Sequence, residues 1–330
     1  GVNGTFYSRA GQTTVRNDGT LINAQGLELQ GYPSNGDGTF SSSLGAIRVP
    51  SAGLPPRATG RMNVSANLDS TATTPTAPWD VNNPGTTSNF STTMTVYDSL
   101  GNGHTVNVYF RRTAANTWEY HALANGSEVS GGTAGRNTEV AAGTLTFGPT
   151  GALQSQASTS GGTVSFNGAR ANQALTFNFG TPVSAGGTGL DGITQFASAS
   201  SVGAQSQDGY AVGDLSNLRV DSDGTVNGVF TNGQLVPLGK LALARFRAND
   251  GLGRAGHNLW TATRESGEPA LGTPGAGGRG ALVAGSLEQS NVDITQQFVA
   301  LVSHQRSFQA NSKTFTTADQ MLQEMMNLNR

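Results

Sequence analysis

The 330-residue chain contains no cysteine. That excludes disulfides, thiolate metal sites and cysteine nucleophiles together, and it leaves the compartment open. Charge is scarce as well. Asp, Glu, Lys and Arg make up 12% of the residues, about half the usual share of roughly 25%. Such a chain carries neither the ion-pair surface of a hyperthermophile nor the charge density of a disordered polyelectrolyte. The net charge is −2, so no basic surplus exists to neutralise a phosphate backbone or to bind anionic lipid. No apolar run approaches the ~18 residues of a membrane span, and the N-terminus does not read as a secretory signal. Gly, Ser, Thr, Asn and Gln fill the gap, with 46 glycines. The hydrophobic fraction of 35% still supports a core in a chain of about two domains.

Catalytic and cofactor motifs are also lacking. His104, His121, His257 and His304 fall in no HxH, HxxxH or HxxE arrangement and read as surface or strand-facing residues. The segment Asp221-Ser222-Asp223-Gly224-Thr225 resembles the start of a calcium loop, but Thr225 and Asn232 stand where further oxygen ligands belong. The glycine-rich stretch at 272–280 holds no GxxxxGK[ST] and reads as a flexible or extended loop. No GxSxG elbow is present. Trp79, Trp118 and Trp260 admit two readings, a sugar-binding platform or core and interface residues. The expectation is a protein with no enzyme activity, no cofactor and no metal.

What is there is β pattern. Thr92-Thr93-Met94-Thr95-Val96-Tyr97 and His104-Thr105-Val106-Asn107-Val108-Tyr109-Phe110 alternate as half-buried strands around the turn Asp98-Ser99-Leu100-Gly101-Asn102-Gly103. Further short runs begin at Thr117, Gly143, Thr163 and Ala174. Their spacing between Gly-rich turns predicts a sandwich or barrel. Asn17-Asp18-Gly19-Thr20 and Ser222-Asp223-Gly224-Thr225 echo one another, each placing Asp-Gly at a hairpin turn. Either two hairpins share one domain with the intervening stretch inserted as a second, or a common turn recurs by chance. Pro50 to Pro56 and Ser198 to Gly203 read as linkers, and residues 71–85 as a Thr/Pro/Asn-rich loop holding Trp79 and Asp80.

The tail differs from the rest. From Ser286 to Arg330 there is neither Gly nor Pro. Ile294, Leu301, Phe308, Phe315 and Leu322 recur every seven residues, and Phe298 and Met326 end a second row whose middle is polar. This is the apolar seam of one long helix. Ser290 with Asp293 reads as its N-cap, and Val292 as a staple. A helix from about residue 292 to 329 spans roughly 57 Å, and the chain holds no second helix of that length to cover it. The fold class is therefore mainly β: two β-rich domains, one inserted in the other, plus a long C-terminal α-helix of coiled-coil type. A charge-poor surface and an uncovered seam fit a subunit that packs against copies of itself.

Several segments resemble one family. Leu287-Glu288-Gln289-Ser290-Asn291-Val292-Asp293 is similar to the LExSNVD motif of the bacterial flagellar axial proteins, and Gln305-Arg306-Ser307-Phe308-Gln309-Ala310-Asn311-Ser312-Lys313 to their QRxYQANxK motif. Arg9-Ala10-Gly11, with Gly26-Leu27-Glu28-Leu29-Gln30-Gly31-Tyr32, resembles the N-terminal RAG and LQGY elements. Asn249-Asp250-Gly251-Leu252, Gly256-His257-Asn258-Leu259-Trp260 and Ser266-Gly267 resemble a third shared stretch. Rod proteins carry these motifs too. Asn67-Leu68-Asp69-Ser70, Pro78-Trp79-Asp80, the run from Thr95 to His104, and Asp208-Gly209-Tyr210 to Leu215 resemble the outer domain of hook proteins.

The resemblance implies a structural subunit of the flagellar hook, self-assembling into a curved flexible tube outside the cell that transmits motor torque as a universal joint. It implies export without a cleaved signal peptide, and as partners many copies of itself, the rod, the hook cap and the hook-filament junction proteins, with no nucleic acid and no membrane insertion. It implies three layers: a helix at 287–330 in the inner tube, a middle domain from 1–57 and 203–286, and an outer domain at 58–202. The family begins with an N-terminal helix ahead of the region that residue 1 matches; that helix is the expected cover for the seam. The alternatives are a rod protein, or a carbohydrate-binding, adhesin-like β protein.

Overall fold

The computed structural model describes residues 4–36, 38–50 and 53–328. The chain divides into two compact units, one built from 13–245 with 270–284, the other from 1–12, 246–269 and 285–330.

The larger unit holds two separate hydrophobic cores. The first lies between two sheets. One is an antiparallel meander of Phe90–Tyr97, Gly103–Ala114, Thr117–Asn125, Asn137–Phe147 and Leu153–Gly161. In the other, Arg61–Asp69 is central. It pairs in parallel with Thr176–Asn178 and Thr194–Phe196 on one side, and antiparallel with Ser201–Gln207 on the other. Period-two alternation builds the interface: Met62, Val64, Ala66 and Leu68 are all buried, while the residues between them are not. They meet Val106, Val108, Phe110 and Trp118 of the meander. Trp118 is fully buried, and its indole N–H donates to Gln195 Oε1 at 3.0 Å, so the largest core side chain leaves no orphan donor.

The second core is smaller: Leu21, Ile47, Val49, Val226 and Leu238. It sits on a five-stranded antiparallel sheet ordered Leu215–Val220, Thr225–Phe230, Leu235–Leu241, Gln30–Pro33, Gly45–Ala46. Strands from the beginning of the chain and from beyond residue 214 thus share one sheet. The two echoed turns have the same hydrogen bonds. Asp18 Oδ1 accepts the Thr20 N–H at 3.0 Å, and Asp223 Oδ1 the Thr225 N–H at 3.1 Å. Each places its third following residue, Leu21 or Val226, in this core. The turns need glycine. Gly19 has φ +82°, and a Cβ there would lie 2.1 Å from the Val49 carbonyl oxygen; Gly224 has φ +86°, and its Cβ would lie 2.6 Å from Pro274 Cγ.

Two expected loops take other forms. The strand Ser201–Gln207 crosses the expected linker at 198–203. The chain pairs instead through Arg57 with Tyr210, at 2.9 Å in both directions, and through Leu54 with Gly213. The stretch at 272–280 is not an open loop. The Gly275 N–H donates to the Gly280 carbonyl, and Arg279 donates to the Thr273 and Ala270 carbonyls.

In the smaller unit, a hairpin of Gly253–Gly256 and Leu259–Thr261 turns on His257 and Asn258, both at positive φ. Tyr7 and Trp260 exchange backbone hydrogen bonds at 2.8 Å, and Tyr7 sets its ring edge-on against Phe246 at 4.8 Å. Arg254 lies over the Trp260 ring at 5.4 Å. The tail forms one helix, Ile294–Leu328.

Candidate assembly surfaces

The helix begins at Asp293. Its Oδ1 accepts the backbone N–H groups of Thr295 at 2.8 Å and Gln296 at 3.4 Å, which makes Asp293 the N-cap. Ser290, the expected cap, instead closes a local turn by accepting the Val292 N–H at 3.2 Å. Val292 is no staple: it is exposed, and the fourth helical residue after the cap is the polar Gln297. The sequence carried both cap candidates, and the one directly before the helical run has the reach.

Along the helix the seam lies open. Ile294, Phe298, Leu301, Phe308, Phe315, Leu322 and Met326 are between 53% and 81% exposed. With 100° per residue, a seven-residue repeat drifts by about 20° per heptad, so these side chains trace a slow spiral on one side. Gln305 and Asn311 border the seam, Gln305 four residues after Leu301 and Asn311 three after Phe308, whereas Arg306 falls on the opposite side. Of the other motif residues, Leu287 is exposed and Glu288 Oε2 stands 3.6 Å from Arg9 Nε. Asn291 is exposed as well.

Two polar clusters fasten loops to the five-stranded meander, and although Trp79 and His104 lie in segments that resemble hook proteins, nothing in the sequence pairs them with Glu139 or Glu128. Trp79 stacks on His121, with ring centroids 4.0 Å apart and planes 12° apart, and its indole N–H donates to Glu139 Oε2 at 3.2 Å. His121 Nδ1 lies 2.8 Å from the same oxygen. Arg111 donates to the Ala77 carbonyl and Asn137 to that of Val81, so the loop at 71–88 is tied down at several points. On the neighbouring strand, His104 stacks on Phe166 at 3.8 Å, with Nδ1 2.7 Å from Glu128 Oε2 and Nε2 3.3 Å from Asp98 Oδ2. Asp98 is buried. Burial alone would raise its pKa, but Asn102, His104 and the Leu100 N–H more than offset this and hold the carboxyl below its usual range. These histidines are structural pins: of the two sequence readings, surface or strand-facing, the strand-facing one holds for both.

The tryptophans do not form a shared platform. Trp118 is inside the core, Trp79 has one face covered by His121, and Trp260 belongs to the hairpin of the smaller unit. No group of three or more metal-ligating side chains occurs among the described residues. No helix among them is long and apolar enough to cross a membrane.

A β-rich chain ending in one long, exposed heptad helix points to a class, the structural subunits of assemblies. Comparison with known proteins gives the class its members. Residues 67–210 match the model of the flagellar basal body protein FlaE D2 domain, and residues 283–328 that of the flagellar basal body rod FlgEFG protein C-terminal region. The flagellar hook protein FlgE of Salmonella typhimurium is 36% identical over 327 residues, covering 98% of this chain and 77% of the relative. That of Escherichia coli is 35% identical over 329 residues, with the same coverage. The crystal structure of Helicobacter pylori flagellar hook protein FlgE2 shares the fold, with a TM-score of 0.54 at 16% identity over 81% of this chain and 88% of that one. The chain belongs to the flagellar hook protein family. It is a structural subunit of the extracellular hook.

Proposed function

We propose that this subunit builds a curved, flexible tube that acts as a universal joint between motor and filament. The supporting observation is the pairing of an exposed, seven-spaced apolar helix with β domains that are rich in uncharged polar residues and poor in charge. The residues Ile294, Phe298, Leu301, Phe308, Phe315, Leu322 and Met326 bury against helices of neighbouring subunits, where each square ångström of apolar surface removed from water contributes about 25 cal/mol. The motif residues Leu287, Glu288, Ser290, Asn291, Val292, Asp293, Gln305, Arg306 and Asn311 position this helix and its entry. Helices at 287–330 form the inner tube. The domain from 1–57 and 203–286 forms the middle layer, and 58–202, running on through the strand that ends at Gln207, lies outside. A rotating bent tube lengthens on one side and shortens on the other in every turn. Ser, Thr, Asn and Gln contacts permit such small shifts, because they carry no strongly directional ion pairs to break. The ends of the tube meet the rod, the hook cap and the hook-filament junction proteins, and the subunit leaves the cell without a cleaved signal peptide.

Antibodies test the layering. Serum against residues 58–202 is expected to decorate intact hooks along their whole length, and serum against 294–328 to bind only dissociated protein. Labelling of intact hooks by the helix serum, or none by the outer-domain serum, would overturn the arrangement.

A further inference from the structure

Two guanidinium groups converge on the glycine-rich stretch at 272–280. The strand Leu243–Arg245 pairs antiparallel with Ala270–Gly272, which sets Arg245 beside the segment leading into that stretch. Arg279 folds back over its own loop: Nε donates to the Thr273 carbonyl at 3.2 Å, and Nη1 to the Ala270 carbonyl at 3.4 Å. Arg245 Nη1 donates to the Gly277 carbonyl at 3.4 Å. The two arginines meet at this residue, since a Cβ on Gly277 would stand 2.8 Å from Arg279 Nη2. A Cβ on Gly278 would stand 2.5 Å from Arg245 Nη1. Gly277 and Gly278 have φ of +60° and +74°, so the turn that carries both contacts admits only glycine.

Neither arginine forms an ion pair among the described residues, whereas Arg16, Arg57, Arg111, Arg219 and Lys240 of the same unit each do. A guanidinium offers five N–H donors in a planar fork. Carbonyls take two from Arg279 and one from Arg245, so most of each fork is left over. Arg279 is half-buried and Arg245 exposed. Two like charges gathered on one glycine turn repel each other. Carbonyl oxygens hold such a pair in place without neutralising it. A planar oxyanion does both, because its two oxygens accept parallel N–H bonds from the fork.

We propose that Arg245 and Arg279 together receive one carboxylate, and that it belongs to a side chain of a second copy of this chain. The chain carries the complementary groups. Asp250, Glu265, Asp319 and Glu324 are exposed and form no ion pair among the described residues, and the net charge of −2 puts carboxylates in slight excess over cations. A carboxylate fixed on a neighbouring subunit is presented at an effective concentration that dilute free anions do not match. The inference rests on the hook reading. It puts one directional contact in the 203–286 segment and leaves the uncharged contacts elsewhere free to shift.

Scarce lysine makes the partner identifiable, since Lys240 and Lys313 are the only lysines of the chain. Arg245→Lys keeps the charge and supplies an amine. Hooks isolated from cells expressing that variant of the full-length protein are treated with a carbodiimide, which joins an amine to a carboxylate it touches. The expected product, absent from wild-type hooks, is a cross-link between subunits from position 245 to an Asp or Glu, read by peptide mass spectrometry. Assembled hooks of the variant without that link would overturn the inference, as would the same link in dispersed subunits, which would place the carboxylate in the same chain. A second arm uses Arg245→Gln on purified protein. Arg245 is exposed, so melting should be unchanged. The concentration needed for assembly is expected to rise about tenfold at low salt, and the difference from wild type to shrink at high salt, which screens the pair. Wild-type assembly by Arg245→Gln would sink the proposal; with inorganic phosphate bound by the soluble wild-type chain and not by the variant, the site would be one for a free anion. Cells expressing the unaltered chain separate the two readings. If they form no hooks of this protein, the hook reading fails, whereas hooks indifferent to Arg245 remove only the arginine contact.

Discussion

Trp79 and His121 lie face to face, 4.0 Å apart, with Glu139 Oε2 within hydrogen-bond distance of a nitrogen from each. One aromatic pair therefore fastens the loop at 71–88 to the sheet. Trp79→Ala removes the stack and leaves Glu139 with one donor fewer. The expected cost is about 1–2 kcal/mol in chemical denaturation. Amide exchange should accelerate at 71–88 and stay slow in the strand Gly103–Ala114. Uniform acceleration across the sheet would show that the loop is part of the core.

Trp118 makes the opposite contribution. It is fully buried between the two sheets, and Gln195 accepts its indole proton. Trp118→Ala leaves a large cavity and should cost about 3–5 kcal/mol. Gln195→Leu keeps the volume but orphans a buried donor, and should cost about 1–3 kcal/mol. Thermal melts compare the two. Equal losses would mean that the hydrogen bond and not the packing dominates the site.

Asp98 gives the larger unit a pH dependence. Its folded pKa lies below the unfolded value, which is about 3.9. The stability it contributes is therefore present in full above that unfolded value and is lost as pH falls through the folded one. Asp98→Asn removes the titrating group. The variant should melt lower than wild type near neutral pH, and the gap should narrow as the pH drops below about 4. Parallel curves of melting temperature against pH would exclude Asp98 as the source.

The repeated Asp-Gly turns were legible in the sequence, because the residues that make them are local: Asp18 reaches Thr20, and Asp223 reaches Thr225, two positions on. The hairpin across Asp98–Gly103 and the long helix were legible for the same reason, periodicity being a property of neighbours. The pins at His104 and His121 were not. Their carboxylate partners Glu128 and Glu139 stand 24 and 18 residues away, one in a turn and one in a neighbouring strand, and only the strand register brings them together. The strand Ser201–Gln207 was also missed, because its exposed, uncharged residues lack apolar alternation and it gains its place by pairing with Arg61–Asp69. The helix cap was misplaced by three residues, since Ser and Asp are both good caps and only the backbone geometry chooses between them.

The helix seam should separate folding from assembly. Phe308 and Leu301 are 76% and 53% exposed, so neither contributes much burial to the isolated chain. Phe308→Glu and Leu301→Glu should each change thermal stability of the soluble protein by no more than about 0.5 kcal/mol, the range of ordinary surface substitutions. In a tube each would place a carboxylate where an apolar side chain is buried, at a cost of several kcal/mol per subunit. The expected outcome is a folded subunit with wild-type melting that forms no tubes under negative-stain electron microscopy. A control on the opposite side, Ser303→Glu, distinguishes the seam from the helix as a whole, because Ser303 is exposed and does not share the face of Leu301 and Phe308. Tubes of normal length from Phe308→Glu would show that the seam is not the contact that holds the tube together, and the β domains would then have to supply it.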